Sequence, residues 1–320
     1  MKHPYTIVLT HDVDHLELRN VPFFSREAGS FIKRCIFSNF LRLFKRDING
    51  LTYIKSFLWG ISFPLIKVGL MKDPWKNSLE QILTIEEKYA VHSTFYFIPF
   101  KRTPGFTQEH TPAPSNRGAD YEVNRYSNFL VTLEERRWEV GVHGINAHIG
   151  VDEARKELEL FKTILPGGKK WGMQVHWLYQ PENLYKHLKK AGYFYDSTFG
   201  SNDQVGFKDH RFRPFKKDGI WVLPMNIQDS TLLAHWHKNF SQQQAWKEIQ
   251  TLLDTAKKQQ TVVTILWHNV SFGSPRFWGN LYQKIIEAGQ KDGAQFLTAL
   301  EAIEKLNSPS HTEQMSEKND

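Results

Sequence analysis

Apolar and β-branched residues recur along this chain in short continuous runs that end on polar, ligand-capable side chains. Residues 5–9 lead into Thr10-His11-Asp12, residues 138–142 into His143, and residues 261–267 into His268. Residues 93–99, 175–179 and 220–225 are further runs of the same kind. Continuous apolar runs of this length suit strands covered on both faces, as in parallel sheets. Between them, apolar residues at helical spacing occupy 78–89, 152–165, 181–192, 241–258 and 279–293, with Asp152 placed as an N-cap and Gly192 as a C-terminal cap. Strands alternating with helices predict an α/β fold built on a parallel sheet, here a distorted (β/α) barrel of about seven strands. In such folds the functional side chains sit at the C-terminal ends of the strands. The Asp and His residues that close the runs are placed that way.

Residues 16–75 interrupt this rhythm. Within them, residues 31–70 carry apolar side chains at helical spacing amid Lys and Arg, as in FIKRCIF, LRLFKR and YIKSFLWGISFPLIKVGL. The expectation is a helical insertion after the first strand, its apolar face packed on the main domain. The sharper alternative is a basic amphipathic surface making peripheral contact with a membrane or a partner. Residues 308–320, SPSHTEQMSEKND, are polar and predict a disordered tail. The expected organisation is one domain over residues 1–307.

Composition changes this picture little. A hydrophobic share of 40% with 23% charged residues permits a packed core and excludes a wholly disordered chain. The net charge of +7 has its basic residues densest in 26–76. No compact Lys/Arg run or RNA-binding signature accompanies it, so nucleic acid is not an expected partner. Cys35 is the sole cysteine, which rules out an intrachain disulfide and fits a reducing compartment. The N-terminal apolar run of five residues is too short for a secretory leader or a membrane span, so a cytoplasmic location is expected. Aromatics reach 14%, and their rings serve cores and sugar-binding clefts alike.

Three constellations carry candidate chemistry. In Thr10-His11-Asp12-Val13-Asp14-His15 the two carboxylates share one face of an extended chain. Held together there, they resist joint ionisation unless a cation separates them or one takes a proton. In Glu139-Val140-Gly141-Val142-His143-Gly144-Ile145-Asn146-Ala147-His148, two imidazoles join the carboxylate to make a common zinc ligand set. On a helix, His143 and His148 would diverge by about 140°. They can share an ion only if the backbone between them is irregular, which Gly144 permits. In Thr264-Ile265-Leu266-Trp267-His268-Asn269, His268 stands where a barrel would place a proton donor. His176, at the start of His176-Trp177-Leu178-Tyr179, has a similar setting. Trp171, Trp177, Trp221 and Trp267 are candidates for stacking on sugar rings or for the core.

In order and spacing these motifs resemble those of the polysaccharide deacetylases with a NodB-homology domain, family 4 of the carbohydrate esterases. THDVDH is similar to the first family motif, HGINAH to the second and LWHN to the last, with STFYFIP and AGYFYDST as weaker matches. The resemblance runs from about Thr6 to Leu306. It implies Asp12 as catalytic base, His268 as general acid, and a divalent metal, zinc, held by Asp14, His143 and His148, with Asn146 competing for the third place. It further implies removal of N-acetyl groups from an amino-sugar-containing saccharide or glycolipid precursor, with Trp177, Trp267, His176 and Arg213 as substrate contacts. The family's second motif spaces its two His four apart, whereas position 147 here is Ala. The Arg that orients the family's base has no counterpart in Gly172-Met173-Gln174-Val175-His176, leaving Arg211 or Arg213 to substitute. Two rival readings stand beside this one: hydrolysis of a non-sugar amide, and a catalytically silent glycan-binding relative.

Overall fold

The computed structural model describes residues 3–113 and 117–306; the tail expected at 308–320 lies outside the described residues. The first apolar run does not stop at Leu9. Strand β1 (Thr6–Val13) continues through His11 and Asp12, and all eight of its residues are buried. It is followed by β2 (Thr94–Phe97), β3 (Glu139–Gly144), β4 (Gly172–Val175), β5 (Tyr195–Asp196), β6 (Phe215–Lys217), β7 (Ile220–Val222), β8 (Ile227–Gln228), β9 (Val262–Leu266) and β10 (Gln295–Leu297). These form one sheet in the order β6-β7-β5-β4-β3-β2-β1-β9-β8, with β10 beside the first half of β1. Among the described strand pairs of this sheet, only the β6–β7 hairpin is antiparallel. The sheet curls into a distorted (β/α) barrel whose edge strands, β6 and β8, do not pair, which is the fold class the sequence pattern predicts. Of the strands that pattern does not give, β5, β6, β8 and β10 are two or three residues long and too short to show a period, and β4 meets its expected run only at Val175.

Alternation along the strands separates two cores. Ile7, Leu9, Phe95, Phe97, Val140 and Val142 belong to the main core between sheet and helices. Val8, Tyr96, Tyr195 and Leu223 pack inside the barrel against Ala299, Ala302 and Ile303 of the last helix, Ala299–Leu306. The backbone N–H groups of Ala299 and Leu300 donate to Thr94 Oγ1 and Glu139 Oε2 at the starts of β2 and β3, each at 2.9 Å. The N-terminal end of the barrel is therefore plugged, and the C-terminal end is left for chemistry. Two glycines make room for the plugging tyrosines. A Cβ on Gly141 would come within 2.5 Å of the Tyr96 ring, and one on Gly172 within 2.0 Å of the Tyr195 ring.

The outer helices follow the predicted pattern with one correction of a cap. Helix Val151–Ile164 begins from Gly150, so Asp152 lies inside the first turn and pairs with Arg155 at 2.9 Å instead of capping. Gly192 does end helix Leu184–Ala191, in the left-handed region at φ 106°.

Residues 16–75 carry several helices, including Arg26–Lys33, Gly50–Ile61 and Phe63–Lys67. At the two ends of this insertion Leu18, Val21, Phe31, Phe63, Ile66 and Trp75 make a small core with Val270. The middle is packed the other way round from the expectation. There the buried residues are Cys35, Asn39, Ser56 and Gly60, all small or polar, together with Ile48. Asn39 Nδ2 donates to Ser56 Oγ at 2.7 Å and to the Pro275 carbonyl at 2.9 Å, and a Cβ on Gly60 would sit 2.8 Å from that of Cys35. The insertion fastens itself to the barrel with this polar seam and turns its large apolar side chains outward.

Candidate active site

The same alternation collects the polar residues at the open end. Asp12 and Asp14 come from the end of β1, His143 from β3, and Gln174 and His176 from the end of β4. His268 lies two residues past β9, and Asp229 follows β8 directly. His143 Nδ1 donates to the Gln174 carbonyl at 2.9 Å, which leaves Nε2 with its lone pair. That nitrogen faces His176 Nδ1 at 2.8 Å, Asp12 Oδ2 at 3.4 Å and Asp14 Oδ1 at 3.5 Å. One ligand atom each from Asp14, His143 and His176 lies within 4.8 Å of the others. Asp12 Oδ1 and Asp14 Oδ1 are shielded from water without a hydrogen-bond partner. Two imidazole nitrogens and an orphaned carboxylate oxygen converging on one point fit a divalent cation, and the donor set is one that suits zinc while keeping a position open.

The charges around this point are sorted. Burial pushes the Asp12 carboxyl up to about 6, against the pull of His143 and His268. Burial also favours the neutral form of Asp14, but His176, His143 and His268 outweigh it and hold that carboxyl well below its ordinary range. His176 is driven well below its usual value by burial and stays neutral, as a ligand must. His268 goes the other way. Burial opposes its charge, yet Asp229 raises it to about 9. The pair is close, with His268 Nδ1 and Asp229 Oδ1 at 2.6 Å, and Asp229 Oδ2 also accepts from the His268 backbone at 3.1 Å. His268 Nε2 is left pointing at Asp14 Oδ2 from 3.8 Å.

Several expected site residues stand elsewhere. His148 does not join Asp14 and His143, because the chain after His143 turns away. Glu157 Oε1 accepts from the backbone N–H groups of Ile145 and Asn146 at 3.0 and 2.6 Å, and Arg117 donates to the Ile145 carbonyl at 2.7 Å. His148 is buried instead against Thr107, whose carbonyl lies 3.1 Å from Nε2, and burial lowers its pKa to about 4. Asn146 spends its carbonyl on the Phe106 N–H at 3.1 Å. His176, which sequence reading placed among substrate contacts, occupies the third position of the cluster.

The run at 175–179 is not a strand. Strand β4 ends at Val175, and Trp177 and Leu178 follow at φ 64° and 55°. Each costs roughly 1–3 kcal/mol in that region. Arg117 holds the strained turn by donating to the His176 carbonyl at 2.7 Å, and Asn202 does so by donating to the Trp177 carbonyl at 2.9 Å. Trp267 is fully buried against Tyr282 and cannot stack on a ligand; Trp171 is likewise in the core. Arg213 is exposed and does not line the cleft, and Arg211 lies over the Phe215 ring. The side chain that holds Asp12 is Gln174, whose Nε2 donates to Asp12 Oδ2 at 3.1 Å.

A cavity of about 300 Å³ opens above these groups, lined by Asp12, Asp14, His176, His268 and Arg276, with Trp177 and Trp236 at its mouth. Sequence reading missed Gln174, Asp229, Arg117 and Arg276. Gln174 and His176 alternate at the end of β4 as Asp12 and Asp14 do at the end of β1, and that repetition was a readable signal. Asp229 follows a two-residue strand and gave none.

No protein-family model matches the sequence, and no curated protein matches it. Solved structures do share its fold. One described as a polysaccharide deacetylase from Mycobacterium smegmatis is 14% identical with a TM-score of 0.56, the match covering 96% of this chain and 91% of that one. Another so described, from Pseudomonas aeruginosa PAO1, is 11% identical with a TM-score of 0.56, covering 97% and 93%. Puue allantoinase is 10% identical with a TM-score of 0.58, covering 97% and 92%. At these identities the likeness is one of fold.

Proposed function

We propose that this chain is a divergent member of the polysaccharide-deacetylase family, a hydrolase that removes N-acyl groups from an amino-sugar-containing saccharide or glycolipid precursor. The observation that carries this reading is geometric: Asp12, held by Gln174, and His268, paired with Asp229, flank the Asp14, His143 and His176 cluster. A carboxylate raised to about 6 stands on one side and an imidazole raised to about 9 on the other. Between those values the carboxylate is ionised and the imidazole protonated, the states that a base and an acid need.

Asp14, His143 and His176 would hold a divalent metal, zinc by their donor set. Such an ion, when bound, lowers the pKa of a coordinated water and polarises an amide carbonyl. The rest is the chain's own work. Asp12, kept in place by Gln174, takes the proton of the attacking water. His268 gives a proton to the departing nitrogen, which leaves poorly as an anion. The products are a carboxylate and a free amino sugar. Trp177 and Trp236 offer ring faces to the sugar at the cleft mouth.

Acetate release from acetylated amino sugars by the zinc-loaded protein, and its loss on chelation, tests the reading; a fully loaded protein inert on every N-acyl sugar would overturn it. The base must be ionised and the acid protonated, so the rate should rise through about pH 6 and fall through about pH 9. A bound cation would draw the acidic limb lower. Asp229→Asn removes the charge that sustains the His268 imidazolium. Its alkaline limb should therefore move to lower pH, and kcat should drop by about 10²-fold. An unchanged alkaline limb would mean that His268 is not the acid. Because an allantoinase shares the fold, a non-sugar C–N bond is the second reading, and simple amides run beside acetylated amino sugars would separate the two.

A further inference from the structure

We infer that the outward face of the helical insertion is a docking surface for an anionic lipid bilayer. Of the eighteen large apolar side chains exposed among the described residues, fifteen lie between Phe23 and Met71. They follow helical faces. Phe37, Leu41 and Phe44 are 65%, 61% and 72% exposed, and Leu51, Ile54, Leu58 and Ile61 form a second row on Gly50–Ile61. The rings of Phe44, Phe40, Tyr53 and Phe57 touch one after another in that order, with centroids 4.9–6.2 Å apart, so the two rows belong to one patch. The polar seam of Asn39 and Ser56 lies beneath it. A water-facing insertion would have the opposite polarity.

Charge selects the occupant. Residues 31–70 contain seven Lys or Arg and a single acid, Asp47, giving +6 of the chain's net +7. A second copy of the chain would set this face against itself in a two-fold interface, apposing like charges, and protein interfaces are depleted in Lys. Anionic headgroups complement it, with apolar rings entering the acyl boundary and basic side chains reaching the phosphates. No helix among the described residues is long and apolar enough to cross a membrane. The face therefore lies on the bilayer. It also meets the cleft: the Arg34 guanidinium sits 4.8 Å over the ring of Trp236, which lines the cavity mouth.

The test is sedimentation of the full-length protein with phosphatidylcholine vesicles, with and without phosphatidylglycerol, beside its mass in solution. Wild type should partition strongly to the phosphatidylglycerol vesicles and only weakly to phosphatidylcholine alone. The triple variant Lys45→Ser, Arg46→Ser, Lys55→Ser should lose on the order of a hundredfold in partitioning, at about fivefold per basic residue. A variant with Leu41→Glu, Phe44→Glu, Ile54→Glu and Leu58→Glu should fall to background while keeping the wild-type circular dichroism, since these side chains are exposed. No partitioning of folded wild type, or equal partitioning of the glutamate variant, would overturn the inference. So would a wild-type dimer that ignores vesicles and becomes monomeric with the glutamates, which would assign the face to a second copy. None of these outcomes depends on the enzymatic reading.

Discussion

Replacing Asp12 by Asn should lower kcat for N-acyl hydrolysis by on the order of 10³-fold and leave the metal content of the purified protein unchanged. The carboxylate lies buried at the end of β1, with Oδ2 held by Gln174 and Oδ1 without a partner. Its pKa, raised to about 6, keeps it ionised at neutral pH yet basic enough to take a proton from water. Asn keeps the shape and the bond from Gln174 but cannot accept a proton. The same change relieves the fold of a buried carboxylate oxygen that nothing satisfies, a group that costs stability unless it is paired. The thermal midpoint of Asp12→Asn should therefore match or exceed that of the wild type. Activity lost with stability gained marks a functional group, whereas a structural carboxylate would lose both. If the variant keeps most of its rate, proton removal belongs to another group, and the placing of Asp12 as base must be abandoned.

Strand alternation made much of this site legible before the fold was known. THDVDH sets Asp12 and Asp14 on one face because a single residue, Val13, separates them, and β1 delivers both to the barrel mouth. His143 and His268 close their apolar runs in the same way. What failed was the step from motif to ligand. Spacing along HGINAH treats His148 as a neighbour of His143 in sequence, but its direction is set by Glu157 and Arg117, residues brought in from a helix and a loop. The third member of the cluster, His176, comes from across the sheet, where β3 and β4 pair in register with His143 opposite Gln174. Register between strands is a property of the assembled sheet, and one chain's local pattern does not contain it. The insertion misled for a related reason. Periodicity reports that a helix has an apolar face, while the side it buries depends on the small and polar residues, here Cys35, Asn39, Ser56 and Gly60, that fit against the barrel.

Metal content across four single variants follows from this geometry and separates the sequence expectation from the structural one. Asp14→Ala, His143→Ala and His176→Ala each remove one converging ligand atom and should lower zinc affinity by more than about 10²-fold, the upper range for loss of an outer-shell partner. His148→Ala should retain about one equivalent of metal. It empties a buried site beside Thr107 and Tyr179 and should cost stability, of order 1–3 kcal/mol. The two classes of variant are thus distinguished by measurement as well as by location. In the first, chelation should no longer lower the thermal midpoint, because the ion that stabilises the native state is already gone. In His148→Ala the midpoint starts lower and still falls on chelation. His143 gives the sharpest case, since its Nδ1–H is committed to Gln174 at 2.9 Å and only Nε2 can meet an ion. A His143→Gln variant offers an amide in place of that imidazole and should recover little affinity. Metal lost in His148→Ala but kept in His176→Ala would require the loop after His143 to refold around the ion, and would return the third ligand to the position expected from sequence.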